Sequence, residues 1–205
     1  MPVPALAKRY PSLCIIGICA LPFDWEGPET YKRAVKAFEQ ACKHVPVLPA
    51  SNSYLVAQVE YLDVTRALNI VNDRMVRPLH AVIRAMSNPK TLTVIDSSDL
   101  RRILKPSPVL AIHYDLPSPA EITNLSQNDS SLLSPLVKGK DRTSCIALIE
   151  AGRGQLEPQH INKLPEQLEI ILGAQPREIK TLIARRPDSE KTYVTILVGV
   201  VTLYR

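Results

Sequence analysis

The chain is 205 residues long, with 45% apolar and 22% charged residues and a formal charge of +5. That composition suits one folded domain with a buried core and excludes disordered, fibrous and collagen-like classes. The charge is mild and scattered in pairs, which admits anionic partners without amounting to the basic stripe of a dedicated nucleic-acid binder.

Near the start, Lys8 and Arg9 precede an apolar run at residues 13–21, the charge pattern of a secretory leader. Ile18, three before a cut after Ala20, is not small, and Pro22 follows, so residues 12–21 are expected to form a buried strand instead. No apolar run reaches the ~20 residues of a membrane-spanning helix, so no membrane is expected as a partner. Cys14, Cys19, Cys42 and Cys145 lack C-x-x-C spacing and neighbouring histidines. Reduced thiols in a cytoplasmic protein are therefore expected, without disulfides or zinc.

Residues 27–45 place Tyr31, Val35, Phe38 and Cys42 three or four apart behind Pro28, which predicts a helix. A longer helical region follows at 53–86, with an apolar stripe that includes Leu68, Val71, Met75, Leu79, Val82 and Met86. Pro78 is expected to kink or divide it. Residues 91–96 then predict a strand, 97–104 a short helix, 108–115 a strand, and 119–137 a helical or broken segment. A strand is expected at 143–150, helices at 157–173 (ending at Gly173) and 176–186, and a last strand from 192 onward. Both faces of that last strand are apolar, which predicts a central place in the sheet. The fold class is α/β: a mostly parallel or mixed sheet of about five strands flanked by helices, with residues 1–205 as one domain.

Three of the expected strands end in an acid, namely Asp96, Asp115 and Glu150. If the strands are parallel, these acids share the carboxyl edge of the sheet, where open α/β folds bind ligands. Neighbouring carboxylates repel one another unless protonated or bridged by a hard cation, so Asp96, Asp115 and Glu150 form a candidate Mg²⁺ ligand set. His113 and Arg153 are the candidate catalytic assistants of such a site, His113 because its i,i+2 spacing puts it on the face of Asp115. A structural reading competes: Asp96 caps the next helix, Asp115 opens a turn and Glu150 pairs with Arg153. The cations Arg101, Arg102, Lys138, Lys140 and Arg142 are candidate ligand-binding residues for phosphate groups.

The seven glycines compose neither a G-x-x-x-x-G-K-[ST] loop nor a three-glycine dinucleotide fingerprint, and there is no G-x-S-x-G elbow. The leading expectation is thus a non-catalytic binding, assembly or regulatory protein without a cofactor. It would act through protein contacts, self-association among them, or through an anionic partner such as nucleic acid. The alternative is a Mg-dependent nuclease or phosphohydrolase with its carboxylates at the strand ends.

Overall fold

The fold was analysed in a computed structural model. It describes residues 3–57, 63–87, 95–125, 137–152, 156–173, 176–186 and 188–203, with the backbone alone at 3–4, 7, 55–56, 64, 67, 137–143 and 200–203. Helix α1 (Val3–Arg9) leads into strand β1 (Gly17–Leu21), a short 3₁₀ turn at Asp24–Glu26, and helix α2 (Pro28–Cys42). Strand β2 (Pro46–Ser51), helix α3 (Asn52–Ala57), the long helix α4 (Val64–Ser87) and the short helix α5 (Ser97–Ile103) follow. Next come strand β3 (Ser107–Leu116), a 3₁₀ segment at Pro119–Asn124, strand β4 (Val137–Ala151), helices α6 (Pro158–Asn162) and α7 (Leu164–Leu172), and strands β5 (Glu178–Arg185) and β6 (Thr192–Leu203).

The strands form one six-stranded sheet in the order β1-β2-β3-β6-β4-β5. β1 to β5 share a direction, and β6 alone is reversed, antiparallel to both β3 and β4. The α/β class with a mostly parallel sheet therefore holds, with six strands where about five were expected. β6 lies between β3 and β4, as two apolar faces require: Leu197 faces one layer, and Val194, Ile196 and Val198 face the other.

The alternation of each strand sorts the core into two layers. Val109, Ala111, Ile146, Leu148 and Leu182 meet α4 and α5 on one face, while Leu110, Ile112, Tyr114, Cys145 and Ile149 meet α7 on the other. Helix α2 buries Phe38 and Cys42 against Val47. Gly173 ends α7 in the left-handed conformation (φ 66°), where glycine carries no Cβ penalty.

Several boundaries differ from expectation for identifiable reasons. Residues 46–51, where no element was expected, form β2; Pro46 and Pro49 argue locally against an interior strand, but Pro49 sits in register with Cys19 and the strand is buried throughout. Residues 176–186 were expected to be helical and instead contribute β5, paired with β4 along its length. Ile179, Thr181 and Ile183 are β-branched at a period of two, and Lys180 and Arg185 suit an edge strand. The strand expected at 91–96 lies outside the described residues at 91–94, and neither Ile95 nor Asp96 is in a strand.

The helical region at 53–86 is divided before Val64, not at Pro78, which lies inside α4 and is buried. Packing against the sheet outweighs the one backbone hydrogen bond that proline removes. The buried face of α4 consists of Val71, Pro78, Ala81, Val82 and Ala85. At 100° per residue, this face is turned by about 70° from the apolar stripe read in the sequence. Met75 and Leu79 are consequently half-buried, and Leu68, Val76, Ile83 and Met86 are exposed.

Candidate functional site

The register places Asp115 of β3, Tyr193 of β6 and Glu150 of β4 in one row across the carboxyl edge of the parallel strands. Residues in such a row share a face of the sheet, here the face covered by α4. Adjacent strands lie roughly 5 Å apart, so the backbones of Asp115 and Glu150 are about 10 Å apart with Tyr193 between them. Two of the three strand-end acids are thus brought to one border.

Neither carboxylate is left unpaired there. Arg84 donates Nε and Nη2 to the two oxygens of Glu150, at 3.1 and 2.9 Å, in a fork that matches the planar guanidinium to the carboxylate. Glu150 is 5% exposed at its side chain, whereas Arg84 is 47% exposed. Arg77 donates Nη1 to Asp115 at 3.2 Å and Nε to Asp73 at 2.8 Å. Arg77 and Arg84 stand seven residues apart, about two turns of α4, so one helix edge supplies both cations.

His113 sits one row deeper and is buried. Its Nε2 lies 3.1 Å from Asp115 Oδ1 and its Nδ1 2.8 Å from Thr195 Oγ1. An ionised carboxylate only accepts, so Nε2 carries the proton toward Asp115, and in the neutral ring Nδ1 accepts from the Thr195 hydroxyl. The His113 hydrogen bond, assisted by Arg77, holds the Asp115 carboxyl below the usual carboxylate range against the opposing effect of burial.

Asp96 stands apart from this border. It is the N-cap of α5, where Oδ1 accepts from the Ser98 amide at 2.7 Å, the Ser98 hydroxyl at 2.6 Å and the Asp99 amide at 2.9 Å. These bonds, led by the Ser98 hydroxyl, lower its pKa. Among the described residues, no group of three or more His, Cys, Asp or Glu side chains could hold a metal ion.

Of the sequence-predicted cations, the two whose side chains are described, Arg101 and Arg102, turn to different partners. Arg101 donates to the backbone carbonyls of Pro11 and Ser12, tying α5 to the segment before β1. Arg102 pairs with Glu178 and Asp99, and Lys180 reaches Asp99 from β5 at 3.3 Å. Lys138, Lys140 and Arg142 lie on β4 around the register shift between Gly139 and Ser144, and their side chains are outside the described residues, as is all of Arg153.

The cations that do gather include two, Arg77 and Arg84, that the sequence did not mark as phosphate ligands. Arg77, Arg84 and Arg186 line a cavity of about 280 Å³ together with His80, Asp115 and Tyr193. The one sequence signal for them was the seven-residue spacing of Arg77 and Arg84 beside an apolar helix stripe. Arg186 and Tyr193 come together because the turn between β5 and β6 packs against Gly152, where a Cβ would lie 2.5 Å from the carbonyls of Ser189 and Lys191.

No family model and no curated protein sequence matches this chain. Solved structures do. An FtsZ dimer from M. jannaschii superposes with a TM-score of 0.77 at 14% identity, covering 95% of this chain and 57% of that one. CetZ2 from Haloferax volcanii, solved as a GTPγS-bound protofilament, gives 0.75 at 14% identity, with 98% and 59% coverage. GDP-form protofilaments of TubZ from Bacillus thuringiensis serovar israelensis give 0.72 at 12% identity, with 98% and 57% coverage. The chain therefore spans less than two thirds of the length of these structures, and what the likeness shows is the fold: an α/β architecture similar to that of FtsZ, CetZ and TubZ.

Proposed function

We propose that this protein is an assembly subunit that associates with copies of itself. The observation that carries the reading is the superposition of nearly the whole chain on proteins solved as a dimer and as protofilaments. The uncovered arc of α4 supports it. Leu68, Val76, Ile83 and Met86 are exposed along the flank of α4 beside its packed face, with Ile83 at 58%. Apolar residues aligned in this way mark protein contacts. Assembly in this reading needs no metal or nucleotide held by the chain alone, because its glycines form neither phosphate-binding pattern, Asp115 and Glu150 are paired with arginines, and Asp96 caps α5.

Sedimentation velocity and negative-stain electron microscopy across a concentration series test the proposal. Species beyond the monomer should grow with concentration, and Ile83→Lys should shift the onset to higher concentration. A monomer at every concentration refutes self-assembly. Unchanged assembly of Ile83→Lys moves the contact away from α4 but leaves self-association standing, and a response to GTP or GDP contradicts the nucleotide-free reading.

A further inference from the structure

We propose that the cleft between α4 and the carboxyl edge of the sheet is a binding site for a small phosphate-bearing anion, held by Arg186 and Arg84. The site is independent of the assembly reading and of the cations on α5.

The cavity of about 280 Å³ beside Tyr193 adjoins a second, of about 260 Å³, lined by Glu150, Arg185 and Asp188. Arg84 and Arg186 line both, so the two guanidiniums stand where the cavities meet. The carboxylates do not neutralise them equally. Glu150 is matched by Arg84, while Arg77 is taken up by two carboxylates, Asp73 and Asp115. Among the described residues Arg186 has only Asp188 as an ion-pair partner, with Nε 4.0 Å from Oδ1, too far for a hydrogen bond, and that aspartate side chain is 78% exposed.

The side chain of Arg186 is nevertheless mostly covered, at 30% exposure, and its guanidinium lies 4.4 Å from the centroid of the Tyr193 ring. Stacking occupies the face of a guanidinium and leaves its edge, which carries the N–H donors, unspent. Among the described residues, the Arg186 side chain has no hydrogen-bond acceptor, and Nη1 of Arg84 has none either. Both side chains are partly exposed, Arg186 at 30% and Arg84 at 47%, so these donors face the solvent of the cleft and are open to an anion entering it. Tyr193 is itself held, by His113 stacked at 6.0 Å and by Ser189 at its hydroxyl, so the ring presents Arg186 in a fixed plane.

A tetrahedral dianion suits these donors. It offers several acceptor oxygens at once, pairs with guanidinium edges in a bidentate manner, and can accept a further hydrogen bond from His80 on the same wall. The volume admits inorganic phosphate or the phosphate end of a small metabolite and excludes a folded partner.

Isothermal titration of the full chain with sodium phosphate, at ionic strength held constant with sodium chloride, tests the assignment, with ³¹P line broadening as a second readout. Saturable binding is expected, weakened at least tenfold in Arg186→Gln and to a lesser extent in Arg186→Lys, which keeps the charge but loses the stacked fork. Arg102→Gln, outside the cleft, should bind as the parent does. Malonate, a planar-carboxylate dianion, should bind more weakly than phosphate. Should Arg186→Gln fail to fold, the Arg186→Lys titration decides. The proposal is overturned by the absence of saturable binding, by phosphate affinity indifferent to both Arg186 substitutions, or by malonate binding as tightly as phosphate.

Discussion

Asp115 shows how a single strand-end acid acquires its surroundings. Its carboxyl is held below the usual range by the His113 hydrogen bond and by Arg77. A depressed carboxylate contributes stability that is fully present above its unfolded value, about 3.9, and is lost as pH falls through the folded one. The acid limb of a pH–stability curve should therefore be shallower in Asp115→Asn than in the parent, and equal limbs would sink this account. The Arg84–Glu150 fork is the more consequential pair. Removing the arginine leaves a charge that is almost wholly buried, and loss of one partner in a fully buried pair costs roughly 3–5 kcal/mol. Because Arg84 is half exposed and water screens it, Arg84→Met should cost less, about 2 kcal/mol in urea unfolding. Adding Glu150→Gln should restore part of that loss, and strict additivity in the double-mutant cycle would argue against the pairing. Asp96 is predicted to behave as a cap: Asp96→Asn keeps the thermal midpoint near the parent's, Asp96→Ala lowers it, and Mg²⁺ changes neither. The positions of Asp115 and Glu150 near strand ends were legible in the chain; the arginine facing each was not, since 38 and 66 residues separate the paired positions.

Among the elements, α4 and α5 are fixed by small residues as much as by large ones. Ala81 and Ala85 let α4 lie close to the sheet, and this is why its buried face is rotated away from the stripe of larger apolar residues. Local periodicity sees hydrophobicity and not the closeness of approach that alanine and glycine permit. Gly199 on β6 is the clearest instance, because a Cβ there would collide with the carbonyl oxygen of Ile103 at the end of α5. Gly199→Ala should force α5 outward and cost roughly 1–3 kcal/mol, as overpacking does. Hydrogen exchange should then show faster opening of Leu100 and Leu104 than of the β3 amides; uniform exchange in the two would contradict it. The misread β5 is the opposite lesson. Its eleven-residue window fits a helical period, and only pairing with β4 selects the extended form.

For the whole molecule, the join between β2 and β3 is narrow, with two register pairs, Pro46 with Ser107 and Val47 with Pro108. The core is continuous across it all the same: Leu48 and Ala50 of β2 share one cluster with Val109 and Ala111 of β3 and with Val71, Ala81 and Val82 of α4. Shared burial couples the two sides, so far-ultraviolet and near-ultraviolet circular dichroism should report one coincident unfolding transition. Two separated transitions would show that β1 and β2 with α2 unfold apart from the rest. By itself, the amino-acid sequence determined the α/β class, the acids at the ends of β3 and β4, the interior position of β6 and the end of α7 at Gly173. Each of these is written in a local period, a capping residue or a two-faced apolar strand. Only the tertiary structure decided the reversal of β6, the strand character of 178–185, the seating of α4 on its small residues, and the meeting of Arg84 with Arg186. Those depend on contacts between positions far apart in the chain, where direction and distance are set by packing and the local pattern is absent or, as at 178–185, fits helix and strand alike.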